Sequence, residues 1–178
     1  MSKDDELLDI VDSDNKVIRQ ELRSKAFKKG LLHRAANIFI FNSEGKVFLQ
    51  RRSSKAAKYP LFLDMSAGEH VKVGESIKDA AIRGVNEELG ISIPLKKVIS
   101  LHHIKSGMAD NKDQLVDNEL VETYQGIFDG EIQIDTNEVA EGKFFSVKEV
   151  NDMIKNPNNK FTSWFLEDWS LLQKPNIV

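Results

Sequence analysis

The sequence predicts an α/β sandwich, a mixed sheet packed between helices. Three observations lead there. Short stretches of β-branched and aromatic residues recur along the chain, residues 76–89 carry apolar side chains at helical spacing, and helical patterns return after the last strand-like stretch. The composition can bury a core, with 40% hydrophobic and 30% charged residues among 178 and only 10 Gly and 4 Pro. No repeat, low-complexity tract or linker interrupts the chain, so residues 1–178 read as one domain. Within it, 1–30 form a hairpin and connector, 31–150 the core, and 151–178 a C-terminal helix.

The elements follow in order. Ile10-Val11, the polar turn Asp12-Ser13-Asp14-Asn15 and Lys16-Val17-Ile18 form a hairpin signal. Residues 20–29 are basic and poorly periodic, fitting a connector or short helix. Residues 35–41 and 46–52 are apolar runs either side of Asn42-Ser43-Glu44-Gly45, a second hairpin. A lysine-bearing loop at 53–60, a short strand at 62–66 and a loop at 68–74 come next. Ile77, Ala80, Ala81, Val85 and Leu89 give residues 76–89 one apolar helical face, and Gly90 stops it. Strands are expected at 98–104, 120–128, 131–134 and 142–145, with a polar loop at 106–117. Ser146 and Glu149 have capping-box spacing for a helix. Trp164, Phe165, Trp169 and Leu172 mark the last helix, and Trp164, Phe165 and Trp169 are core or lid residues, or a wall for an apolar substrate.

Charge and composition exclude several functions. The net charge of −3, from 25 basic and 28 acidic residues, offers no basic surface for nucleic acid. The apolar runs fall far short of the roughly 20 residues needed to span a bilayer. No apolar stretch of signal-peptide length follows the charged start Met1-Ser2-Lys3-Asp4-Asp5-Glu6, so the expected location is the cytoplasm. With no cysteine, the chain forms no disulfide, thiolate metal site, thiol nucleophile or thiol acid.

The chemistry concentrates around the predicted helix. Arg83 and Glu87 lie one turn apart, so the guanidinium can neutralise or orient a carboxylate. Glu75, Glu87 and Glu88 read most simply as a solvated charged face. Their position argues for more, because Gly68 and Gly74 let the preceding loop approach a ligand closely. Carboxylates there suit Mg²⁺ or Mn²⁺.

Gly74-Glu75-Ser76 followed by Arg83-Gly84-Val85-Asn86-Glu87-Glu88-Leu89-Gly90-Ile91 resembles the Nudix box, G-x5-E-x7-R-E-U-x-E-E-x-G-U with U apolar. The resemblance implies a Nudix-type α/β/α sandwich. Seven of the nine specified positions agree; Glu69 stands where the box has Gly, and Gly84 where it has the Glu after Arg. That Glu helps bind metal or acts as general base in the family. Its absence implies a weaker or rearranged site, and Gly84→Glu is expected to tighten metal binding.

Longer stretches resemble type I isopentenyl-diphosphate isomerases: 29–35, Leu49-Gln50-Arg51-Arg52-Ser53, Glu69-His70, Val116-Asp117-Asn118-Glu119 and 160–165. The resemblance implies that His33, His70, Asp117 and Glu119 hold a divalent metal, without the family's third histidine. It implies that Glu88 helps a second Mg²⁺ hold the diphosphate, and that Arg52, with Lys55 or Lys58, binds it. Arg51 and Arg52 point to opposite faces of a strand, so only one can bind phosphate directly; His102 and His103 likewise alternate. The family's catalytic Cys falls at Gly68, which leaves Glu119 a lone carboxylate.

Three functions remain open from the sequence, each with a small-molecule diphosphate as partner and a monomer or homodimer as assembly. In a metal-dependent hydrolase, Glu87 and Glu88 hold Mg²⁺ or Mn²⁺, Arg83 and Glu75 orient them, Glu119 accepts the proton, and Arg52, Lys55 or Arg51 neutralise the phosphates. The alternatives are an isomerase with an altered site and a non-catalytic diphosphate binder.

Overall fold

The computed structural model describes residues 6–107 and 115–174. Strand β1 (Leu7–Val11) pairs antiparallel with β2 (Val17–Leu22). The Asp12 carboxylate shapes their turn by accepting the amides of Asp14 and Lys16 at 2.9 and 3.0 Å. Helix α1 (Arg23–Lys29) follows, buries Ala26 and Phe27, and ends at Gly30 with φ 58°.

The remaining elements are β3 (His33–Phe41), β4 (Val47–Arg52), β5 (Leu63–Asp64), β6 (Ala67–His70), α2 (Ile77–Leu89), β7 (Lys96–Gly107), β8 (Val116–Ile127), β9 (Val139–Phe145), α3 (Val147–Lys155) and α4 (Ser163–Leu172). The main sheet runs β5-β4-β3-β8-β7, with β6 also on β3 and β9 on β4. β3 and β8 are parallel while the other pairs are antiparallel, so the sheet is mixed.

β3 is apolar along most of its length because both of its faces are covered. Ala36, Ile38 and Ile40 pack with Ala80, Ala81, Val85 and Leu89 of α2; Ala35 and Phe39 pack with Phe165 and Trp169 of α4. The two layers make the α/β/α sandwich. Ser76 caps α2 by accepting the Asp79 amide at 3.1 Å. Ser146 and Glu149 complete the capping box of α3. Buried Asp168 fixes α4 across three strands: Asn37 Nδ2 and Thr123 Oγ1 donate to it at 2.9 and 2.6 Å, and His102 Nε2 lies 2.8 Å away.

Several sequence expectations need correction. Part of the loop expected at 68–74 is β6, antiparallel to β3 with Ala35 opposite His70. No strand forms at 131–134. Instead the amides of Gln133 and Asp135 donate to Leu89 O and Glu88 O at 3.1 and 2.9 Å, satisfying carbonyls at the end of α2 that lack intrahelical partners. β7 and β8 reach into the polar segment expected as a loop at 106–117, whose residues 108–114 lie outside the described ones. The segment from residue 151 onward holds the end of α3 and all of α4 rather than one helix.

Candidate active site

Strand register assembles the site. Pairing of β3 with β8 sets His33 opposite Glu119, and pairing of β3 with β6 brings in His70 two residues along. Asp117 and Glu119 project to the same side of β8 by the period of two. One donor atom from each of His33, His70, Asp117 and Glu119 lies within 4.8 Å of the others. His70 Nε2 is 3.0 Å and His33 Nε2 3.5 Å from Glu119 Oε1.

The His33 ring has a defined orientation. Its Nδ1 donates to Leu31 O at 2.8 Å, because a carbonyl can only accept, and this turns Nε2 toward the cluster. Among the described residues, His33 Nε2, His70 Nε2 and Asp117 Oδ1 are buried without a hydrogen bond. Buried polar atoms of this kind are ordinarily paired. Two imidazoles and two carboxylates converging on one point fit a divalent cation, and the mixed donor set suits Mn²⁺ better than Mg²⁺.

Burial pushes the Glu119 carboxyl up, but His33 and His70 outweigh it and hold Glu119 well below the usual carboxylate range. Asp117, raised by burial and by Glu119, is likewise held low by Lys58 and His70. Lys58 donates to Asp117 from a buried position and stands 3.6 Å above the Phe27 ring. Phe27 of α1 also packs on His33 and His70, with ring centres 5.6 and 5.2 Å away, and so walls the cluster.

The cluster opens through a cavity of about 60 Å³ beside a larger one of about 410 Å³, with Arg23, Arg52, Gly68, Glu69 and His70 lining both. The larger is within the size range of small-ligand sites. Lys55, Gln50 and Glu88 also line it. Arg52 is set by Asp64, whose Oδ2 accepts from Nη1 at 3.0 Å, and by Trp164, 5.3 Å from the guanidinium carbon. Asp64 is itself held by Thr162 Oγ1 and Trp164 Nε1 at 2.8 and 2.9 Å.

The α2 end is organised by Arg83. Its Nε and Nη2 donate to Glu75 at 2.9 Å each, Nη2 also donates to His70 O at 2.9 Å, and Nη1 lies 2.9 Å from Glu69 and 3.4 Å from Glu87. Buried Glu88 accepts from Gln50 Nε2 at 2.8 Å and from the Gly68 amide at 3.2 Å.

The structure thus brings together His33, His70, Asp117, Glu119, Glu88, Arg52 and Lys55, with Arg83 and Glu75 behind them. Two candidates fall outside. Arg51 is on the opposite face of β4, where its Nε donates to Glu141 at 2.6 Å. Glu87 is half exposed and turned to Arg83, because neighbours on a helix point about 100° apart. Sequence reasoning missed Gln50, Asp64, Phe27 and the buried Glu69. For Gln50 a signal existed, since it shares a strand face with Arg52.

Residues 31–165 match the NUDIX domain model. An isopentenyl-diphosphate delta-isomerase of Serratia proteamaculans is 35% identical over 163 residues, 91% of this chain and 88% of that protein. An uncharacterised Nudix hydrolase of Nostoc sp. is 44% identical over 94 residues, 52% of this chain and 56% of that protein. The crystal structure of DR0079 from Deinococcus radiodurans covers 95% of this chain and 100% of its own with a TM-score of 0.72 at 20% identity, a likeness of fold. With its α/β/α sandwich, its helix of spaced carboxylates and three quarters of its length inside the domain model, the chain belongs to the Nudix family.

Proposed function

We propose that the chain is a divalent-metal-dependent hydrolase of an organic or nucleoside diphosphate. One observation carries the reading: Glu119 and Gly68 line the same cavity, in a chain without cysteine. The site has a proton acceptor and cationic anchors but no thiol to act as acid. His33, His70, Asp117 and Glu119 would hold one divalent ion and Glu88 a second. Bound there, Mg²⁺ or Mn²⁺ supplies charge against the diphosphate oxygens and makes an attacking water more acidic. Arg52 and Lys55 bind the phosphates, Arg52 through a guanidinium already aimed by Asp64. Glu119 accepts the proton of the attacking water.

The test incubates the protein with Mn²⁺ or Mg²⁺ and a panel of nucleoside and isoprenoid diphosphates in D₂O. Phosphate or monophosphate release seen by ³¹P NMR is the expected result. Deuterium entering isoprenoid methyl groups without phosphate release would overturn it in favour of an isomerase, the second reading. That reading is favoured by the extent of likeness to the Serratia isomerase and by the assembled His33, His70, Asp117 and Glu119. Binding without turnover would sink both enzyme readings.

A further inference from the structure

The two departures from the Nudix box, Glu69 and Gly84, lie apart in sequence but touch in the fold. A Cβ added at Gly84 would stand 3.0 Å from Glu69 Cβ and 3.6 Å from its Cγ. Ordinary carbon contacts are about 3.5–4.0 Å, so a side chain at 84 competes for space with the one at 69. The same added Cβ lies 4.0 Å from Glu88 Oε1. Glu69 therefore passes over the very ground where a glutamate on α2 would begin, with Glu88 alongside. It is 3% exposed, its Oε1 accepts the His70 amide at 3.1 Å, and its Oε2 is 2.9 Å from Arg83 Nη1.

We infer that the two departures are one compensated exchange: the carboxylate absent from helix position 84 is supplied from strand position 69, and with Glu88 it serves the divalent cation at the α2 end of the cavity. The inference rests on the metal-dependent reading above. It reverses the sequence expectation for Gly84→Glu, which adds a carboxylate to space already filled instead of restoring a lost one.

The test is a cycle of Glu69→Gly, Gly84→Glu and the double variant, with Glu69→Gln as a charge-only control that keeps the side-chain volume. Thermal melting and Mn²⁺ titration by electron paramagnetic resonance are read without substrate. Gly84→Glu alone should lower the melting temperature, and the double variant should recover it. Glu69→Gln and Glu69→Gly should weaken Mn²⁺ binding by about tenfold or more, the scale of losing a metal-site carboxylate, and the double variant should regain it. A melting temperature unchanged by Gly84→Glu overturns the exchange. Mn²⁺ affinity unchanged in Glu69→Gln overturns the role given to the carboxylate. If the native chain turns over a diphosphate while either result holds, only this inference falls. A native chain that neither binds Mn²⁺ nor turns over any diphosphate removes the metal-dependent reading with it.

Discussion

The two ends of the site are built by opposite means. At one end, His33, His70, Asp117 and Glu119 come from three strands and owe their proximity to sheet register. At the other, Glu75, Arg83, Glu87 and Glu88 come from one helix and its leading loop. The strand end leaves three buried polar atoms unbonded among the described residues. The helix end binds its charges internally, with Arg83 reaching three carboxylates and a carbonyl. Unbonded donors suit a place where a cation arrives, whereas Arg83 ties Glu75 and Glu87 into a frame beside Glu69 and Glu88. The difference separates the cluster, whose loss ends chemistry, from Arg83 and Glu75, whose loss ends the fold.

Glu119→Gln sharpens that division most. It keeps the volume and removes the proton acceptor, so diphosphate turnover should fall about 10²–10⁴-fold, the scale of general base catalysis, with the fold retained by circular dichroism. Glu87→Gln, made on a half-exposed carboxylate outside both cavities, should leave turnover within about twofold and stability within about 0.5 kcal/mol. Equal losses in the two variants would erase the contrast between the ends.

Arg83→Ala probes the scaffold. It strands Glu69 and Glu75 with their charges, and such a loss costs about 3–5 kcal/mol. For a domain of this size that corresponds to a melting temperature lower by roughly 10 °C, measured by scanning calorimetry. An Arg83→Ala protein as stable as the native chain would show that the helix end does not carry the fold.

His102 gives a smaller effect with a defined pH sign. Burial disfavours its charged form, but Asp168 prevails and raises its pKa above the ordinary value. The folded chain then holds the proton more tightly than the unfolded one. Its contribution is complete below about pH 6.5, the unfolded value, and is lost as pH rises through the folded value. His102→Ala should cost about 1.5 kcal/mol in urea unfolding at pH 6, the scale of a hydrogen bond to a charged group, and less at pH 8. A difference that grows toward pH 8 would remove Asp168 as the cause.

What could be read from the sequence follows the same division. The helix end was legible because its information is local: an apolar face at 3.6 spacing, a Ser cap, a Gly stop and carboxylates one turn apart. At the strand end, the four cluster residues were found through resemblance, since no periodicity tells which strand pairs with which. β6 was hidden because Gly68-Glu69-His70 has neither alternation nor β-branching. Residues 131–134 erred the other way, alternating Ile132 and Ile134 where the backbone instead covers the end of α2. Lys58 is expected through resemblance as an alternative to Lys55 for the diphosphate, and only the fold sets it beside Asp117 and Phe27.

The gentlest perturbation addresses the reaction itself. Gly68 lines both cavities, and a Cβ there would meet Asn37 Oδ1 at 3.7 Å and Ala36 O at 4.0 Å, ordinary contacts. Gly68→Cys should therefore fold with stability within about 1 kcal/mol of the native chain, the range of unstrained glycine replacements. It places a thiol in the cavity that Glu119 also lines, the acid that this chain otherwise lacks. If Glu119 and the cluster around it still have the geometry for proton transfer to carbon, the variant should gain a trace of solvent deuterium in isopentenyl diphosphate while the native chain shows none. Deuterium uptake by the native protein would mean that a group other than a thiol already serves as the acid, and the argument for hydrolysis from Gly68 would fail.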